Sequence, residues 1–110
     1  MDRNWQARAN DFAFKRNLDR SASVYALDAV SEMGEVAKEI LLATDYGSRS
    51  PQFGPNLEAE LGDLLYSICM LATSSRVDLE EAFRKTLEKY EKRWQSAGNP
   101  GNQKARSTTN

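Results

Sequence analysis

Two short runs in the middle of the chain have the residue types and the spacing to hold a metal ion. Glu32-Met33-Gly34-Glu35 and Glu60-Leu61-Gly62-Asp63 both read acid, apolar, glycine, acid. Carboxylates at i and i+3 stand one turn apart on the same side of a helix. The first pair belongs to a longer row, Asp28, Glu32, Glu35 and Glu39, at i, i+4, i+7 and i+11, with only Lys38 nearby. Like charges at these spacings repel by roughly 0.2–0.5 kcal/mol per pair in water, and by more when partly desolvated. Asp63 is the only charged residue between Leu61 and Ala72. A helix this apolar is expected to be buried over most of its circumference, so Asp63 needs a cation, a hydrogen-bond network or a raised pKa. Each glycine costs its helix about 1 kcal/mol relative to alanine. The expected return is a close approach of two antiparallel helix backbones at Gly34 and Gly62, which would bring four carboxylates to one spot.

An ExxE on an amphipathic helix is usually a solvated face, and a lone Asp in an apolar helix is more often a hydrogen-bonded core residue. The agreement of two matching pairs favours a site over both. The 110 residues include no histidine. That excludes Ser-His and Cys-His catalysis, histidine-ligated zinc and histidine general bases. An oxygen-only site suits one or two hard divalent cations: magnesium, manganese or calcium. The single cysteine, Cys69, excludes a disulfide within the chain and reads as a small buried hydrophobe in a reducing compartment. A formal net charge of -1 gives no general attraction to nucleic acid or to anionic membrane. No apolar run is long enough for a membrane span or placed as a signal peptide, so neither partner is expected and a cytoplasmic location is.

The elements that must position these acids are helices. Residues 2–17 are helix-compatible, with Trp5, Ala9, Phe12 and Phe14 among polar residues. Ser21 or Ser23 offers a cap for a second helix, in which Val24, Leu27, Val30, Met33, Val36, Ala37, Ile40 and Leu41 recur at helical spacing to about Thr44. Residues 45–55 carry three breakers and read as a loop, with Asn56 a plausible cap for the third helix. That helix carries Leu57, Leu61, Leu64, Leu65, Ile68, Leu71 and Ala72 and ends near Ser74. Asp78 caps a charged fourth helix to about Trp94, whose inner face is read as Leu79, Ala82, Phe83, Thr86, Leu87 and Tyr90. The fold class is therefore all-α, a four-helix bundle with a domain over residues 1–94 and a flexible tail over residues 95–110. Lys89 and Arg93 share a face of the last helix. Most of that charge run is a solvated face, but such a pair also suits a phosphate held beside a metal. Trp5, Phe12 and Phe14 are aromatics on which a base could stack, although aromatics of this kind are more often core.

At this point the chain resembles a known family. Glu32-Met33-Gly34-Glu35, followed across a loop by Glu60-Leu61-Gly62-Asp63-Leu64-Leu65-Tyr66, resembles the ExxE…ExxD signature of MazG-like nucleotide pyrophosphohydrolases. Lys89-Tyr90-Glu91-Lys92-Arg93-Trp94 is similar to the Lys-aromatic-x-x-Arg-aromatic segment that closes MazG domains. The resemblance runs from Phe12 to Trp94. It implies a MazG-like bundle completed as a homodimer or as a dimer of dimers, a homotetramer. It implies hydrolysis of a nucleoside triphosphate to the monophosphate and pyrophosphate with Mg2+, Mn2+ being the substitute. It also implies Glu32, Glu35, Glu60 and Asp63 as metal ligands, Glu32 and Glu35 as catalytic carboxylates, and Lys89 and Arg93 as phosphate-binding residues, with Trp5 and Phe12 as candidates for the base. Many members carry a further Glu directly before the first ligand, a candidate general base; here that position is Ser31. Two other readings remain open: a phosphoribosyl-ATP pyrophosphohydrolase of the HisE kind, and a non-catalytic helical binding module.

Overall fold

Each helix starts where a side chain or a proline makes starting cheap. In the computed structural model, which describes residues 4–97, α1 spans Trp5–Lys15, α2 Ala22–Ala43, α3 Pro55–Ser74 and α4 Leu79–Ala97. Asn4 caps α1, its Oδ1 accepting from the Ala7 N–H at 2.8 Å. Ser21, rather than Ser23, caps α2 by accepting from the Val24 N–H at 3.4 Å. Asp78 does the same for α4, accepting from the Glu81 N–H at 3.2 Å. Helix α3 departs from the expected cap at Asn56: Gly54 is the N-cap and Pro55 opens the helix. The ring of Pro55 pre-sets φ, and its missing N–H is one the first turn could not have paired. Helix α4 continues to Ala97, and the remainder of the expected tail lies outside the described residues.

The helix ends are built alike. After α1, the Leu18 N–H donates to the Ala13 carbonyl at 2.9 Å and the Asn17 N–H to Phe14 at 3.3 Å. After α2, Tyr46 donates to Leu41 at 2.6 Å and Asp45 to Leu42 at 3.2 Å. After α3, Val77 donates to Ala72 at 2.8 Å and Arg76 to Thr73 at 3.0 Å. This crossed pair of bonds is the Schellman motif, which puts its turning residue in the left-handed region and usually uses glycine there. Here those residues are Asn17, Asp45 and Arg76, at φ of 54°, 49° and 60°. No glycine marks these stops, yet the ends expected near residue 17, Thr44 and Ser74 lie within two residues of those observed.

Helix α3 is the centre of the first three. It packs along α2 on one side and against α1 on another. The core is small: Ala13 of α1, Tyr25 of α2 and Met70 of α3, with Ala9, Leu18, Tyr66 and Leu71 packed around them. The Tyr25 hydroxyl donates to the Leu18 carbonyl, so this buried ring ties the α1–α2 connection to the core. At the other end of α1, Gln6 Nε2 donates to Thr73 Oγ1 (3.1 Å) and to the Val77 carbonyl (2.8 Å), while Thr73 Oγ1 donates to Asn10 Oδ1 (2.6 Å). Helices α1–α3 form one compact unit, closed at Val77, and α4, from Asp78 on, belongs to a second. Within α4, Arg84 bridges Glu81 and Glu88. The stripe of α4 read as an inner face is largely exposed, Phe83 at 59% and Leu87 at 50%. On α2, Leu27 and Val30, both 71% exposed, continue through Met33 and Leu41 as an uncovered apolar stripe. Among the described residues, no helix is long and apolar enough to cross a membrane.

The left-handed residue at the end of α3 gives a direct test. An L-residue with a Cβ costs roughly 1–2 kcal/mol in this conformation, and glycine does not, although glycine loses more entropy on folding. Arg76→Gly is expected to raise the unfolding free energy by about 1 kcal/mol, read as a higher urea midpoint with an unchanged denaturant slope.

Candidate metal centre

The α2–α3 contact decides which acids meet. Glu60 and Asp63 stand one turn apart on α3, and the packing of α2 brings Glu32 across to them. One carboxylate oxygen from each of Glu32, Glu60 and Asp63 lies within 4.8 Å of the other two. Glu32 and Glu60 are half-buried and Asp63 is exposed, so the expectation of a buried Asp63 is not met. Glu60, half-buried, is the acid on which the other charges act. Its pKa is raised above the ordinary glutamate value, first by burial and then by the negative charges of Glu35, Asp63, Glu32 and Glu39. Glu35 is exposed and stands outside the three that converge, yet it leads the charges acting on Glu60. Asp28, the first of the α2 row, is exposed and is absent from that set.

The donor set fits a hard divalent cation. Oxygens on opposite sides of such an ion are separated by about 4–5 Å, twice a bond of roughly 2.0–2.6 Å. The three carboxylates thus lie within reach of one coordination sphere. Without a cation the arrangement is self-repelling, and after burial this repulsion is the second cause of the raised pKa of Glu60.

The two glycines do not bring backbones together. A Cβ built on Gly34 or on Gly62 would meet nothing within 4 Å. The reason lies in the motif itself. At about 100° per residue, the acids at the first and fourth positions point to one side, and the third position points roughly 200° away from the first. Glu60 and Asp63 serve the α2 side of α3, so Gly62 turns towards α1.

There Gly62 borders a cavity of about 390 Å³. Its walls include Trp5, Arg8 and Phe12 from α1 and Tyr66 and Cys69 from α3. Phe12 meets Tyr66 edge to face, with ring centres 6.0 Å apart at 88°, and the Arg16 guanidinium covers Phe12 at 4.1 Å. Burial and the hydroxyl of Tyr25 push the Tyr66 phenol up, and burial pushes the Cys69 thiol up, so both are neutral groups. Two of the aromatics picked from the sequence, Trp5 and Phe12, thus share a concave surface, whereas Phe14 is not among the residues lining it. Arg8 was not picked. Its signal was the i, i+3, i+7 face that Trp5, Arg8 and Phe12 make on α1, which is weak in so polar a helix. Lys89 and Arg93 lie one turn apart on α4, their charged ends 5.5 and 5.9 Å from the centre of the Tyr90 ring between them.

The electrostatics yield a pH test. Where the native Glu60 carboxyl holds its proton above the ordinary value of 4.5, the folded state binds more protons than the unfolded chain, and stability falls as pH rises. In divalent-free buffer, Glu60→Gln is therefore expected to be more stable than wild type above that window, with the difference shrinking as pH drops through it. Thermal unfolding from pH 4 to 7 measures it, and a constant difference would contradict it.

No curated protein and no solved structure matches the chain. The family model of the MazG nucleotide pyrophosphohydrolase domain matches residues 20–97. That stretch contains α2, α3 and α4 and all three converging carboxylates, and it leaves α1 outside. The match covers most of the chain and joins the acid pairs, the helices that carry them and the closing segment of α4 in a single pattern: the chain belongs to the MazG nucleotide pyrophosphohydrolase family.

Proposed function

We propose that the chain is a magnesium-dependent nucleoside triphosphate pyrophosphohydrolase, releasing a nucleoside monophosphate and pyrophosphate. The observation that carries this reading is the convergence of Glu32, Glu60 and Asp63 in a histidine-free domain of this family. These three carboxylates would hold Mg2+, or Mn2+ in its place, with Glu35 at the rim. When bound, the cation supplies charge neutralisation between the acids and the triphosphate and a lowered pKa for a coordinated water.

The chain's own residues supply the rest. A water oxygen attacks a phosphorus of the α,β-anhydride, the bridging P–O bond breaks, and the pyrophosphate departs with the electron pair. The water's proton needs a carboxylate acceptor. Ser31 occupies the position where many relatives carry a Glu, so that task falls to Glu35 or Glu32. Glu35 is the better placed, being exposed and outside the converging three. Lys89 and Arg93 are the cations assigned to the departing pyrophosphate, and the cavity bearing Trp5 and Phe12 is assigned to the base. The uncovered apolar stripe of α2 supports a homodimer or homotetramer.

Two measurements test the reading. Pyrophosphate release from a panel of ribo- and deoxyribonucleoside triphosphates is expected with Mg2+ and not with EDTA. Glu35→Gln should lower kcat by about a hundredfold or more, within the usual range for loss of a general base. In parallel, Mg2+ should raise the melting temperature of wild type but not of Asp63→Asn. A Mg2+-stabilised protein inert to the whole panel would point to phosphoribosyl-ATP. Inertness with no metal stabilisation would leave a non-catalytic helical module.

A further inference from the structure

The walls of the α1–α3 cavity are chemically one-sided. Arg8 brings a fork of N–H donors and no acceptor. Trp5 adds an indole N–H, again a donor only. Tyr66 offers its ring, since its hydroxyl is engaged with Tyr25, which in turn donates to Leu18. Cys69 is a neutral thiol, and Ala9, Phe12 and Leu65 carry no polar side-chain atom. The backbone carbonyls along these stretches of α1 and α3 are spent within their own helices. Among the described residues, the side chains that line this cavity therefore offer donors and no strong acceptor.

We propose that the cavity takes the base of a 6-oxopurine nucleotide, with the Arg8 guanidinium donating to O6 and N7 while the ring packs against Trp5. The assignment rests on the pyrophosphohydrolase reading for where the phosphates go. Two adjacent acceptors on one edge are what a guanidinium fork matches bidentately. Adenine presents an amino group at the same place, and cytosine likewise presents an exocyclic amine. Either would set an N–H donor against the donors of the guanidinium, so that the bidentate pair cannot form. The cavity's size, about 390 Å³, is within the range of small-molecule pockets.

The position of the cavity connects it to the acids. Tyr66 in its wall is the i+3 neighbour of Asp63, and Gly62 lies between Glu60 and Asp63 in the chain. Base and phosphates would thus occupy two sides of the same turn of α3. Gly62 has a role here that close packing does not give it: any side chain would project into the open space that the cavity provides. The α1 wall lies outside the stretch matched by the family model, so this selectivity is a property of this chain's own first helix.

Calorimetric titration with GMP, IMP, AMP and CMP, in Mg2+, tests it without requiring turnover. GMP and IMP are expected to bind alike, since the 2-amino group is not read, and about tenfold more tightly than AMP or CMP. Arg8→Ala should erase the preference. Arg8→Gln, whose amide can pair with adenine's N6 and N7, should shift it towards AMP. Gly62→Leu should weaken every base while leaving stabilisation by Mg2+ intact. Wild-type binding without preference for 6-oxopurines would overturn the proposal. So would an equal loss for all four ligands in Arg8→Ala, the signature of a phosphate contact, or unchanged binding in Gly62→Leu. Selective binding with no hydrolysis of any triphosphate would sink the enzymatic reading and keep this one; hydrolysis without base preference would do the reverse.

Discussion

Carboxylates do not gather unaided. Bringing Glu32, Glu60 and Asp63 within reach of one another, with Glu35 and Glu39 behind them, costs electrostatic energy at every step. The packing of α2 on α3 must offset that cost, because it is the contact that brings the two acid pairs together. The α2–α3 contact is accordingly the constraint on which the site depends. Tyr25 and Met70 lie in the core, and Val36, Ala43, Ser67, Cys69 and Ala72 are the other buried residues of the two helices. Glu60 has its pKa raised, first by burial and then by the four neighbouring negative charges.

The sequence carried the helices and the acids well, for a physical reason. A 3.6-residue period and an i, i+3 pair are both local, and local patterns survive without knowledge of the partner helix. The capping residues Ser21 and Asp78 were legible on the same ground. The cap of α3 differs: Gly54 with Pro55 starts the helix in place of Asn56. The stops expected near Asn17, Thr44 and Ser74 lie within two residues of the observed ends, although no glycine marks them.

The larger misreading concerned direction. The cost of a glycine inside a helix suggests a close backbone approach at Gly34 and Gly62, but a residue two positions from the first acid points away from the side that the acids serve. The same geometry hid the cavity, since a wall made of residues on two helices far apart in sequence has no local signature. Asp63 misled for a related reason. Its apolar neighbours suggested burial all round, but much of that apolar surface stays open in the single chain, where Leu61 is 48% exposed.

The polar clip at Thr73 has a consequence for recognition. Gln6 and Asn10 fasten the first half of α1 to the end of α3, and the Schellman turn at Asn17 with the Tyr25–Leu18 bond fastens the second half. A guest entering between these helices meets a frame already fixed at both ends, like a drawer between rails. The freedom it must freeze is confined to a few side chains, chiefly Trp5 and Arg8, at roughly 0.5–1.5 kcal/mol for each one immobilised. Selectivity in such a slot follows from its chemistry and shape, and it does not wait on closure of the protein around the guest.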